Sequence, residues 1–150
     1  MATPIRQILT SLHGREIGLS SDRTLIVRNQ VDSILITVAA GASNVCTATL
    51  QAQNNEGFNV SLGCIMHVWL SDAATGLGIT ANANTSEVTA GTGALLGILT
   101  TEKSWLIQTD ATGKAVLSIT DTGKHATYIA AQSPHRGPFS VASAVCVYGA

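Results

Sequence analysis

The sequence predicts an all-β chain with a two-layer core, and three observations predict it. From about residue 33 onward, apolar and polar residues repeatedly alternate with a period of two. The alternating segments are short and are separated by turns rich in Asn, Asp and Gly. No segment carries the i, i+3, i+4 apolar spacing of an amphipathic helix. With 150 residues and 45% of them hydrophobic, the chain can bury a core without a disulfide or metal to staple it. Its net charge of −1 is far from the high charge of disordered chains.

The first part of the chain reads differently from the rest. Residues 1–32 hold four of the five arginines and no lysine. Apolar pieces at residues 5–12, 16–19 and 24–27 are separated by His13-Gly14 and by Ser20-Ser21-Asp22. Each piece is short and bounded by turn formers, so an extended arm with short strands fits best. Ser21-Asp22-Arg23 forms the tip of a predicted hairpin joining Ile17–Leu19 to Leu25–Val27. Strands this few and short cannot bury a core by themselves.

Regular strands follow. Residues 33–40 are apolar and β-branched; residues 44–53 alternate, with Cys46, Ala48, Leu50 and Ala52 on one face. Asn54-Asn55-Glu56-Gly57 is a turn. Residues 62–70 form a nearly continuous apolar run, as a central strand covered on both faces requires. A small-residue loop over 72–84 carries a further short strand at 77–80 in this reading. Residues 87–89 are a weak strand, 95–99 an apolar one, and 104–109 alternate. Asp110-Ala111-Thr112-Gly113 and Asp121-Thr122-Gly123 are tight turns flanking a strand over 114–120. Residues 125–132 and 139–148 close the chain. Trp69 and Trp105 are expected in the core.

The stretch Thr109-Asp110-Ala111-Thr112-Gly113-Lys114-Ala115-Val116-Leu117-Ser118-Ile119 resembles the turn-and-strand signature of bacterial and phage Ig-like repeats of the invasin/intimin type. Residues 46–60 are similar to the first strand and turn of such repeats, although Asn59 stands where Pro is usual. Residues 128–131 and 140–148 match their closing strands. The resemblance covers about residues 44–148 and implies an Ig-like β-sandwich. The physical logic is local: Asp110 can cap the turn with its carboxylate, and Gly113 supplies a positive φ. The predicted division is an arm and hairpin over residues 1–40 and an Ig-like sandwich over 41–150.

Composition narrows the function. Charged residues make up 11% of the chain, against about 25% in typical domains. Eight basic residues lie scattered among nine acidic ones, so the phosphate-neutralising clusters of nucleic-acid binders are missing. A surface poor in charge suits burial in an assembly. No window reaches the roughly 18 apolar residues of a transmembrane helix. The start, Met1-Ala2-Thr3-Pro4-Ile5-Arg6, lacks the apolar core of a signal peptide and points to synthesis in a host cytoplasm. Cys46, Cys64 and Cys146 read as small buried hydrophobes, with a Cys64–Cys146 bridge across two sheets as the alternative.

Chemistry is sparse. His13, His67, His125 and His135 lie in four separate segments without metal-ligand spacing. His67 reads as a hydrogen-bonded core or interface histidine. Asp110 and Asp121 are turn residues, and Asp72, Asp110 and Asp121 are too widely spaced for a calcium loop. The glycine pairs at 76/78 and 91/93 lack the strand–GxGxxG–helix context of a phosphate loop. The expectation is therefore no catalytic residue, no cofactor and no metal.

What is left is recognition by surface and backbone. The arm's arginines and apolar anchors can lie along a neighbouring protein. The layout, an arm holding Leu9-Thr10-Ser11-Leu12-His13-Gly14-Arg15 followed by one such domain, resembles small virion proteins of tailed bacteriophages, capsid decoration (cement) proteins above all. That resemblance implies a protein on the capsid surface, stabilising the shell by clamping neighbouring subunits. Its partners would be the major capsid protein and other copies of itself, with neither nucleic acid nor membrane. The partner-binding residues are expected to be Arg6, Leu9, Leu12, His13, Arg15 and Arg23, with loop tips at residues 75–84 and 135–138. The alternative is a tail or baseplate component, or a host-receptor or glycan-binding module, built on the same sandwich.

Overall fold

The structure, a computed structural model, describes residues 17–19, 25–27, 30–82, 88–132 and 142–150. They form strands and no helix: β1 (Ile17–Leu19), β2 (Leu25–Val27), β3 (Ser33–Ala40), β4 (Val45–Gln53), β5 (Ile65–Ser71), β6 (Val88–Thr92), β7 (Ala94–Thr100), β8 (Ser104–Gln108), β9 (Lys114–Thr120), β10 (Tyr128–Gln132) and β11 (Ala142–Val145). β1 and β2 pair antiparallel, Ile17 opposite Val27 and Leu19 opposite Leu25, as the hairpin prediction requires. The tip of that hairpin lies outside the described residues.

The other strands form two antiparallel sheets packed face to face, one ordered β3-β4-β9-β6 and the other β11-β10-β5-β8-β7. β4 shows why. Its side chains alternate strictly between buried and half-buried, because successive Cβ atoms point to opposite faces of a sheet. Cys46, Ala48, Leu50 and Ala52 are fully buried; opposite them Ile119, Leu117 and Ala115 of β9 extend the same inner face. The facing sheet contributes Met66, Val68 and Leu70, with Ile129 and Ala131 on one side and Trp105 and Ile107 on the other. β5 is central in its sheet, as its apolar run predicts.

Turn chemistry fixes the register. Asp110 accepts hydrogen bonds on one carboxylate oxygen from Thr112 N–H (2.8 Å), Lys114 N–H (3.0 Å) and the Thr112 hydroxyl (2.7 Å). Gly113 has φ +74°, and a Cβ there would sit 2.0 Å from the Val60 carbonyl oxygen. Both residues do what the motif predicts. Asp121 repeats the device, accepting from Gly123 N–H and His125 N–H, although Lys124 takes the positive φ (45°).

Three expectations change. β3, assigned by sequence to the arm, pairs along its whole length with β4, so the sandwich includes residues 33–40. Residues 77–80 form no strand; they belong to a loop lying over the outer face of the five-stranded sheet. Trp105 is in the core, but Trp69, though only 6% exposed, points away from it. Its indole N–H donates to the Gly76 carbonyl (2.9 Å), and Ser71 Oγ donates to the Leu77 carbonyl (3.0 Å). The loop over 72–80 is the lid that buries Trp69.

Candidate protein-binding surface

The two sides of the sandwich end differently. On one side β3 packs against β11, and Ser43 bridges Gly149, joining the layers. On the other, the chain arches from β6 in one sheet to β7 in the other through Gly93, whose φ is +78°. A Cβ at Gly93 would lie 2.4 Å from the Gln108 carbonyl oxygen, so only glycine turns this corner.

Among the described residues, the arch leaves β7 at the edge of its sheet, hydrogen-bonded only to β8. Its sequence, Ala94-Leu95-Leu96-Gly97-Ile98-Leu99-Thr100, has no charge and no proline, the usual protections of an edge strand. Leu95, Leu96, Ile98 and Leu99 are 36%, 49%, 59% and 54% exposed. Register shifts between Leu95 and Gly97, and between Ile98 and Thr100, break the ladder twice. Leu96 and Leu99 therefore have no cross-strand partner in β8. Paired bulges disfavour addition of another regular strand. What β7 offers a partner is its apolar side chains.

The outer face of the four-stranded sheet is also low in charge. Thr37 and Thr49 stand opposite one another, as do Thr47 and Ser118, and Ser118 and Thr89. Phe58, Leu77 and Ile79 project from loops, 66%, 69% and 46% exposed.

Polar groups cluster in structural roles. Asp72 accepts from the Thr80 hydroxyl and Ala81 N–H, and these bonds hold its carboxyl below the usual range. Asp110 is lowered likewise, by the Thr112 hydroxyl first and the Lys114 N–H next. His125 Nδ1 lies 3.0 Å from the buried Asp121 carboxylate. The hydrogen bond expected of His67 is missing at its buried Nε2, which finds no partner among the described residues, and its ring lies 4.7 Å from that of Trp69. Burial lowers its pKa. Among the described residues no three His, Cys, Asp or Glu side chains are placed to hold a metal ion, and no helix is long and apolar enough to cross a membrane.

The three cysteines are buried, as the sequence reading expects, and the alternative bridge between Cys64 and Cys146 is not formed. Cys64 lies at one end of the sandwich, where its backbone N–H donates to Thr109 Oγ1 at 2.8 Å. Cys146 lies at the other end, against Cys46, whose thiol hydrogen-bonds it. All three are free and buried.

Arg6, Leu9, Leu12, His13, Arg15 and Arg23 lie outside the described residues, as do residues 83–84 and 135–138 of the predicted loop tips. Residues 75–82 are described and mostly exposed; Leu77 is their most prominent apolar side chain. β7 was legible as a strand but not as a surface, because an apolar run suits a doubly covered strand equally well. A scan against protein-family models and a search of curated proteins find no match to this chain.

Proposed function

We propose that this chain is a structural virion protein of a tailed bacteriophage that decorates and stabilises the capsid. In this reading the Ig-like sandwich stands on the shell and binds the major capsid protein and other copies of itself, using the N-terminal arm and the edge strand β7. The observation that carries it is the row of exposed Leu95, Leu96, Ile98 and Leu99 on an edge without charge. A protein free of partners rarely leaves such an edge open.

The strand pairing supports the Ig-like assignment. In an Ig sandwich, strands A, B, E and D share one sheet and C, F and G the other. β3, β4, β9 and β6 fall in the first order, and β5, β10 and β11 in the second. The β7–β8 hairpin, inserted between β6 and β9, widens the second sheet and creates the exposed edge.

Many copies bridging subunits would stabilise a shell through multivalency even if each contact were weak. The chain performs no catalysis in this reading; Asp72, Asp110 and Asp121 serve their own turns. Of the alternatives, a glycan-binding module is disfavoured by the burial of both tryptophans, whereas a tail or baseplate component would use the same edge. The test is co-purification with intact particles. Deleting residues 1–30, and separately replacing Ile98 and Leu99 by Lys, should each reduce occupancy. Full occupancy of both variants would overturn the proposal.

A further inference from the structure

The C-terminal segment is laced to the start of β4. Gly149 N–H donates to the Val45 carbonyl (3.1 Å) and Asn44 N–H to the Gly149 carbonyl (3.3 Å). A Cβ on Gly149 would meet the Gly41 and Ala42 carbonyl oxygens at 2.3 and 2.5 Å, so only glycine permits this approach. Cys146 is anchored by its own N–H to the Thr127 carbonyl (2.8 Å). This lacing sets Cys146, which follows β11 of the five-stranded sheet, beside Cys46 on the inner face of β4 in the other sheet. We propose that Cys46 and Cys146 form a redox-addressable dithiol, which a peroxide closes into a disulfide joining the two layers. This inference is independent of the proposed function.

Packing alone does not account for the pair. Both cysteines belong to the hydrophobic core, but each also meets polar groups: Cys146 the Thr127 and Tyr148 hydroxyls and the Ile129 N–H, and Cys46 the Val147 N–H. Those donors stabilise a thiolate. The thiol of Cys46 does so first of all, bringing Cys146 down to about 7 while Cys46 is pushed up. Position divides the labour: Cys146, the residue nearer the surface, is the attacking sulfur and the fully buried Cys46 the resolving one. Cys146 is the more exposed residue, 8% against 0% for Cys46.

The step balances. The Cys146 thiolate attacks one peroxide oxygen; an S–O bond forms, the O–O bond breaks, and the departing hydroxide takes up a proton as water. The Cys46 sulfur then attacks the sulfenic sulfur of Cys146. An S–S bond forms, the S–O bond breaks, and the hydroxyl leaves with the Cys46 proton as a second water. The two thiols lose two electrons and the peroxide gains them. Cys64 provides an internal control. It sits beside Thr109, and burial pushes its thiol up.

The test uses the full chain, reduced, then treated with stoichiometric hydrogen peroxide and mapped without reduction. The expected product has lost two hydrogens and yields a cross-linked peptide containing Cys46 and Cys146, while Cys64 remains free to alkylate. Because the closed loop spans most of the chain, Tm should rise by about 10 °C and fall back on adding dithiothreitol. Cys46→Ala should leave Cys146 trapped as a sulfenic acid that a dimedone probe labels, and Cys64→Ala should change nothing. Free thiols at both positions after peroxide, a bridge through Cys64, or cross-linking only between chains would each overturn the proposal.

Discussion

Trp69 donates its indole N–H to the carbonyl of Gly76 at 2.9 Å, and this bond ties a buried aromatic outside the core to the loop that covers it. The same loop is held at Thr80, whose N–H donates to the Leu70 carbonyl (2.7 Å). Replacing Trp69 by Phe keeps most of the buried area but deprives the Gly76 carbonyl of its donor. The expected cost is about 1–3 kcal/mol. Hydrogen exchange should show the loss concentrated in residues 72–80, with amides of the inner strands still protected until global unfolding.

Thr109 should be equally sensitive at the opposite end. Its hydroxyl accepts the Cys64 N–H at 2.8 Å and lies 3.3 Å from the Cys64 carbonyl. Thr109→Val has nearly the same shape but leaves a buried N–H unpaired, at a cost of about 1–3 kcal/mol. Chemical denaturation should show a lower midpoint with an unchanged slope.

Two glycines separate strain from collision. Gly57 has φ +81° and open space around its Cβ position, whereas Gly113 has φ +74° and the Val60 carbonyl oxygen only 2.0 Å away. Gly57→Ala should therefore cost only the left-handed backbone penalty, about 1–2 kcal/mol. Gly113→Ala must also displace the chain at Val60, so it should cost clearly more and depress soluble yield. Equal midpoints for the two variants would contradict this account.

His67 predicts a dependence on pH near neutrality. Burial favours its neutral ring, so the folded pKa lies below that of the unfolded chain. The cross-strand neighbours Leu106 and Gln132 bring no charge to offset this. Its contribution is fully present above the unfolded value of about 6.5 and is lost as pH falls through the folded value. His67→Phe should flatten the stability profile between pH 7 and 5.

Asp72 and Asp110 act lower on the scale. Hydrogen bonds hold both carboxyls below their unfolded values. Their stabilisation is therefore complete above about pH 4 and is lost as pH falls through the folded pKa. Asp110→Asn should reduce stability at pH 7 and weaken the acid dependence below pH 4. Thermal melts across that range give the comparison.

How much of this was legible depends on the range of the interaction. Asp110 and Gly113 were readable because a turn is closed by groups within four residues, and the motif carries its own geometry. The strand β4 was readable because alternation is a property of the backbone, whatever lies opposite. The hairpin of β1 and β2 followed from turn formers between short apolar pieces.

Sequence by itself thus determined the all-β class, most strands and their turns, since each rests on local backbone geometry and a period of two. Tertiary structure alone decided which faces met. It placed Cys146 beside Cys46 and not Cys64, moved β3 into the sandwich, and put Trp69 under a loop. It also left the leucines of β7 exposed, because Gly93 carries the chain from one sheet to the edge of the other. The physical reason is common to all four. A strand's residues prescribe two faces, but what covers each face is set by segments tens of residues away, whose approach no local pattern encodes.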